Sequence, residues 1–398
     1  MEKAERKIII DYGALKLLNS TLGEKVPEGS RLLVLIDRRF DGASRVKSEL
    51  TKKYFVSEVE IADNSISAIR KIKASEESRA VIAIGGSDAV NAGKFVAKRY
   101  SLPLAVVVLS PETVSYTLPS AILEADGFRE SYKAVAPFLL LCDGELVSDD
   151  ERRLASGFGE ICARLCTLFD RRALSVLFGE RYDEKVEKSL CSAVIESINL
   201  ALKGKFTPFV ATKLALKVSQ ILASFGSSSL YLGGEMQLEN AFRLIKRKNG
   251  KEIKSVGENS LITAVLSMKI YSSFLSLPTF RIMRVADNNL RLDKLVSTFG
   301  VKASLASQKI SPVCSFVEAD KLAYALSVNR DELMKKAVVY GKTLKLALSQ
   351  FKRLYKDCGY SYNNYITIEE LRPCVNLAPE MSGKSTLYTV MKRLGVIF

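Results

Sequence analysis

Histidine is missing from all 398 residues. Any metal site must therefore be built without imidazole, from carboxylate, thiolate or weaker donors. Cysteine is present but unpatterned: Cys142, Cys162, Cys166, Cys191, Cys314, Cys358 and Cys374 are scattered, odd in number and without a C-x-x-C pair. That excludes a disulfide framework and fits reduced thiols in a cytoplasm. No charged segment followed by an apolar run opens the chain, and no apolar run reaches membrane-spanning length, so the expectation is a soluble, cytoplasmic protein with no membrane partner. Neither zinc-finger nor aromatic-interleaved basic motifs occur, which argues against nucleic acid. No repeat period stands out. The triplet Gly383-Lys384-Ser385 lacks the second glycine of a P-loop, since Ala378 stands five residues before it. Ser382 or Ser385 is expected to cap a helix over 386–394.

What is present divides at an acidic run, Ser148-Asp149-Asp150-Glu151. Residues 1–150 carry 21 Lys and Arg against 22 Asp and Glu, and residues 151–398 carry 38 against 22. All the excess positive charge thus belongs to the second half, which suggests an anionic ligand. Apolar runs of strand length at 32–36, 54–59, 80–84, 105–109 and 138–141 alternate with helical patterns at 43–53, 65–73 and 89–100. Such alternation predicts a parallel sheet with ligands at the carboxyl ends of its strands. Residues 112–133 break the pattern as an inserted hairpin turning at Asp126-Gly127. Beyond residue 150, helical spacing runs through 184–203, 208–225, 235–247, 260–275 and 330–355. The fold class expected is a Rossmann-like parallel α/β domain over 1–150 followed by an all-α domain over 151–398.

Three places carry candidate chemistry. Gly85-Gly86-Ser87 turns a strand into a helix whose free amides face outward, either a seat for pyrophosphate or a plain turn. Asp37, after the 32–36 strand, either holds a ribose or begins a loop. In RLASGFGEICARLCTLFD, residues 153–170, Gly157 and Gly159 loosen the start of a helix and place Glu160 near its positive end, with Arg164 on the same face.

The order of these pieces resembles the superfamily of dehydroquinate synthases, iron-type alcohol dehydrogenases and glycerol dehydrogenases, and most closely its sn-glycerol-1-phosphate dehydrogenase branch. GGSDAVNAGKFVA at 85–97 is similar to the dinucleotide loop G-G-G-x-x-x-D-x-A-K, with Ser87 at the third glycine, Asn91 at the acidic position and Lys94 keeping the lysine. GFGEICARLCTLFD is similar to G-x-G-D-x-x-x-K-x-x-x-x-x-D, so that Glu160 falls on the carboxylate metal ligand, Arg164 on the lysine and Asp170 on the closing aspartate. GSSSLYLGGEMQLEN at 226–240 follows G-N-S-R-P-A-S-G-A-E-H-x-x-S-H with Gly226, Ser228, Gly233 and Glu235 matching; Met236 and Asn240 stand at histidine positions. NGKEIKSVGENSLITAV resembles H-G-x-x-V-x-x-G and places the remaining metal histidine on Asn249 or Gly250. STLYTVMKRLGVIF is like the closing R-Y-T-x-x-D-x-x-x-x-x-G of the glycerol-1-phosphate branch.

The resemblance implies a dehydroquinate synthase-like fold, NAD or NADP bound through Asp37, Gly85, Gly86, Ser87, Asn91 and Lys94, and catalytic positions at Glu160, Arg164 and Lys94. It also implies a zinc or iron that these residues hold poorly, because Glu160, Met236 and Asn249 offer one carboxylate, one thioether and one amide. Cys162 and Cys166 point to other helix faces than Glu160, so no rebuilt site is expected from them and zinc or iron is expected to be absent. Three readings follow: a degenerate relative that keeps a nucleotide or phosphate pocket and pairs Glu160 with Arg164 or a neighbouring base; an oxidoreductase or lyase acting on a phosphorylated small molecule without metal; or a binder of acidic polymer through the basic half. The family's habit of oligomerising implies a homodimer.

Overall fold

The computed structural model describes residues 6–225, 233–282, 287–310, 314–355 and 365–397. Gly226, Ser228 and Cys358 lie outside these residues. The chain forms two compact units: Met1–Ile161 with Asn199–Ser228, and Cys162–Ile198 with Ser229–Phe398.

The first unit begins with β1 (Lys7–Asp11), α1 (Leu18–Gly23), β2 (Arg31–Ile36), α2 (Gly42–Thr51), β3 (Phe55–Glu60) and α3 (Ile66–Ile69). β4 (Ser78–Gly85), α4 (Ser87–Tyr100) and β5 (Leu104–Val108) follow, then the hairpin β6 (Ser120–Ala125) and β7 (Phe128–Lys133), then β8 (Leu139–Asp143). Six strands form one parallel sheet in the order β1-β8-β5-β4-β2-β3. The five apolar runs read from sequence are β2, β3, β4, β5 and β8. β1, KIIID, was too short and too closely flanked by charge to stand out.

Period-two alternation decides which residues face which layer. Leu32, Val34, Ile36, Ile82, Ile84, Val107, Leu109 and Leu141 pack with Leu18, Leu22, Val46 and Leu50 of α1 and α2 in one core. α4 comes close to β4, where a Cβ on Gly93 would stand 2.7 Å from the Cβ of Ala83. Only glycine lets this helix approach so closely. The inserted hairpin turns at Asp126 (φ 50°) and Gly127 (φ 90°), the left-handed pair that a tight hairpin requires.

α5 (Glu151–Phe178) passes from the first unit into the second, as does α6 (Glu184–Leu202) in the opposite sense. α7 (Pro208–Ser224) belongs to the first unit. There Ser219 bonds Thr117 at 2.8 Å, and on the loop before α7 Phe206 packs edge-on against Phe158. The division drawn at residue 150 falls at the start of α5, whereas the compact units part further on, between Ile161 and Cys162.

The second unit continues with α8 (Gly234–Lys248), α9 (Val256–Leu275), α10 (Asn288–Phe299), α11 (Ala303–Lys309), α12 (Phe316–Leu354), α13 (Ile368–Leu377) and α14 (Leu387–Arg393). Its described residues are helical throughout apart from connecting loops. α9 is buried on all sides over its first three turns, the mark of a central helix. α12 starts at a capping box, Ser315 with Glu318. Arg291 of α10 and Lys392 of α14 both reach the buried Glu380 carboxylate, at 2.6 and 2.8 Å.

Candidate functional site

Two places in the fold concentrate polar chemistry, one in each unit. In the first, strand order reverses between β2 and β4, the switch point at which open α/β sheets bind ligands. The loops leaving these strands hold Asp37 and Gly85-Gly86-Ser87. Gly85 has φ 143°, and a Cβ there would lie 2.7 Å from the Cβ of Asp37. At Gly86 the same atom would collide with Glu112 Oε2 and stand 2.9 Å from the Phe40 ring. Arg153 donates to both Glu112 oxygens, at 3.2 and 3.3 Å, and stacks over the Phe40 ring at 4.1 Å. The space that a side chain at Gly86 would take is thus filled by a carboxylate and a ring, both held by one guanidinium. Burial pushes the Glu112 carboxyl up, and Arg153 opposes this.

The other residues expected there have partners of their own. Asp37 is buried and accepts from Arg39 Nε at 2.8 Å and Nη2 at 2.6 Å; the same Nη2 also reaches Asp88. Asn91 donates to the Ser87 carbonyl and accepts the Ile122 amide, tying α4 to β6. Lys94 is fully buried, its Nζ 2.5 Å from the Ser115 carbonyl. Burial, with Arg6 as a second cause, brings its ammonium down to about 7. Asn91 and Lys94 therefore anchor the inserted segment. Beside the crevice a cleft of about 350 Å³ remains, bordered by Arg39, Gly42, Arg45, Glu145 and Ser148.

Glu160 is 1% exposed and lies well inside α5. The expectation of a place near a positive helix end is corrected: α5 begins at Glu151, where Asp150 accepts the Arg153 amide. Gly157 is there for another reason, because a Cβ would stand 2.7 Å from the Pro111 carbonyl oxygen.

In the second unit, α5 presents Arg164, Thr167, Cys166 and Asp170 to the start of α8. Arg164 Nη1 lies 3.3 Å from Glu235 Oε1, and Thr167 donates to the same oxygen. Asp170 caps two helices at once: its oxygens accept the Gly234 amide of α8 at 2.6 Å and the Leu387 amide of α14 at 2.8 Å. The cap of α14 is therefore Thr386 together with Asp170, and not Ser382 or Ser385. The Gly383-Lys384-Ser385 triplet serves as a loop whose carbonyls accept from Gln237 and Arg171. Burial raises the Asp170 carboxyl to about 7 and pushes Glu235 and Cys166 upward as well.

The ligand positions inherited by resemblance do not come together. Met236 is buried in the first turn of α8, while Asn249 is its exposed C-cap, about 20 Å away along the axis at 1.5 Å per residue. Asn249 donates to Glu370 at 2.9 Å, and Asn240 to the Met381 carbonyl at 3.0 Å. A metal held as in a carboxylate-and-two-imidazole site does not fit these residues. Instead the structure gathers Cys166, Asp170 and Glu235, all buried, with donor atoms within 4.8 Å of one another. Testing Cys166 only against Glu160 missed this set; the signal was the four-residue spacing of Cys166 and Asp170 on one helix face.

Residues 9–149 match the family described as iron-containing alcohol dehydrogenase. The chain is similar to a glycerol-1-phosphate dehydrogenase [NAD(P)+] of Metallosphaera sedula, 24% identical over 57% of this chain and 66% of the relative. One from Methanosphaera stadtmanae is 23% identical over 54% and 63%, and one from Hyperthermus butylicus 26% over 62% and 75%. The chain thus spans just under two thirds of the first two relatives' length. Among solved structures, a maleylacetate reductase from Rhizobium sp. strain MTP-10005 shares the fold over 99% of this chain and 96% of its own, at 14% identity and TM-score 0.56. An alcohol dehydrogenase from an archaeal halo-thermophile of a Red Sea brine pool does so over 98% and 96%, at 12% identity and TM-score 0.57. The motif order, the match over residues 9–149 and the fold of the whole agree: this chain is similar to the iron-containing alcohol dehydrogenases in its sheet unit and shares their fold throughout.

Proposed function

We propose that this chain has left the metal-assisted hydride transfer of its superfamily and acts by binding, with a dinucleotide or phosphorylated small molecule as the class of ligand. The observation that carries this reading is the separation of Met236 from Asn249 at opposite ends of α8, in a chain without histidine. A hydride donor needs its hydroxyl polarised, and no set of donors at the inherited positions closes to do so. The crevice of the first unit supports the loss of hydride transfer, since Phe40 and Glu112 crowd Gly86. The ligand class rests on the excess of positive charge beyond residue 150 and on the names of the relatives.

The test is turnover. Purified protein supplied with sn-glycerol 1-phosphate, NAD+ or NADP+, and zinc or iron(II) is expected to leave the nicotinamide unreduced in every combination. Metal-dependent reduction overturns the proposal. One observation favours a second reading: an amine such as that of Lys94, poised at about 7, suits general-base work without metal. Reduction that survives a chelator and falls in Lys94→Met would support that reading.

A further inference from the structure

We propose that Cys166, Asp170 and Glu235 form a buried three-ligand site for a divalent cation of zinc type, separate from the positions inherited by resemblance. Cys166 and Asp170 stand four residues apart on α5 and so share a face, and Glu235 opposes them from the first turn of α8. All three donors lie within 4.8 Å of one another. A tetrahedral ion with bonds of about 2.0–2.3 Å needs donor separations of roughly 3.3–3.8 Å, a change that side-chain rotation supplies.

Two unspent polar groups point to a missing partner here. Glu235 Oε2 has no hydrogen-bond partner, although the residue is wholly buried. Tyr271 Oη has none either and abuts Gly234, whose amide binds Asp170. Orphaned oxygens in a dry interior are costly, and two in one place call for a shared ligand. Asp170 keeps its role as a double cap, because each carboxylate oxygen that accepts one amide has a second lone pair.

Charge favours a cation. Three deprotonated ligands exceed the positive charge that Arg164 brings to Glu235 and Arg171 to Asp170, and a divalent ion offsets the excess. Thiolate with two carboxylates suits zinc better than calcium or magnesium, which take oxygen alone. Binding displaces the thiol proton to solvent. Every ligand is buried, so the ion ties α5 to the starts of α8 and α14 and is not presented to substrate.

Metal content and spectroscopy test this independently of turnover. Full-length protein exchanged into cobalt(II) should hold about one ion per chain and show a thiolate-to-cobalt charge-transfer band. The band should vanish in Cys166→Ser, weaken at least tenfold in metal affinity in Glu235→Gln, and persist in Cys162→Ser, whose thiol is equally buried one turn away on the same helix. Folded wild-type protein that takes up no cobalt, or takes it up without the thiolate band, overturns the proposal. So does a band lost in Cys162→Ser and kept in Cys166→Ser. The wild-type spectrum decides even where Cys166→Ser does not fold.

Discussion

The crevice of the first unit and the buried centre of the second treat polar groups in opposite ways. In the crevice each charge meets an opposite one across a short gap: Asp37 and Asp88 on Arg39, Glu112 on Arg153, with Phe40 filling the space between. At the centre two carboxylates and a thiol crowd together beside one guanidinium, and two oxygens go without partners. A self-satisfied crevice has no unmet demand for a ligand, whereas an over-acidic dry centre has one. The difference teaches that a buried polar cluster calls for a ligand only where its charges and hydrogen bonds are left unmatched.

The sharpest way to break the comparison is Asp170→Ala. Two helix-terminal amides lose the carboxylate that accepts them, at about 1–2 kcal/mol each, so unfolding in denaturant should show a loss of roughly 3 kcal/mol. Asp37→Ala in the crevice frees a guanidinium that is half exposed and still pairs with Asp88, and its loss should be well under half as large. Equal losses would erase the contrast between the two places. Next in size stands Gly157→Ala. A helix ordinarily gains from this change, but the new Cβ meets backbone and side-chain atoms of Pro111 at 2.7 and 2.8 Å, so a net loss of about 1–2 kcal/mol is expected. A stabilised variant would mean that the Pro111 loop yields freely.

A smaller effect, visible only against pH, tests whether Lys94 is an anchor. Its ammonium titrates at about 7 in the folded protein and near its ordinary 10.5 when unfolded. Between those values the unfolded chain holds the extra proton, so the stability contributed by this group rises with pH, by at most about 1.4 kcal/mol per pH unit. Below 7 the charge is buried at full cost. Lys94→Met removes that cost and the slope together, so the stability difference between the two proteins should move in favour of wild type from pH 7 to pH 10. A difference that stays flat would mean that Lys94 does not titrate there.

The sheet was legible because buried parallel strands read as unbroken apolar runs, as Ala80 to Ile84 does. The hairpin was legible in Asp126-Gly127. The cap of α14 was not, because one of its acceptors, Asp170, lies 217 positions away in the chain. Arg164 illustrates the same limit: local spacing pointed to Glu160, whereas its guanidinium reaches Glu235 on another helix. Asn249 fell to motif alignment, since counting residues cannot tell that a helix continues from Met236 to Lys248 and carries the last position out to the surface. The Glu112 clamp was hidden for a related reason: glycine in a loop announces room, and what fills the room comes from other loops.

Glu112→Gln is the finest probe, and it separates charge from shape in the crevice. A ligand phosphate at Gly86 would approach the first turn of α4, whose free amides favour an anion, but it would also approach the Glu112 carboxylate. The amide variant keeps the outline of the side chain and removes its charge; Arg153 is then left with one fewer anion to hold and turns from clamp into an available cation. Calorimetry with NAD+ and NADP+ should therefore show binding strengthened about tenfold, worth roughly 1.4 kcal/mol, with the thermal stability nearly unchanged. An affinity that does not move would place the obstruction in the Phe40 ring, and Phe40→Ala would then have to open what Glu112→Gln could not. If neither variant binds either dinucleotide, the glycine turn is structural, and the first unit differs from the second not by a filled ligand seat but by having none.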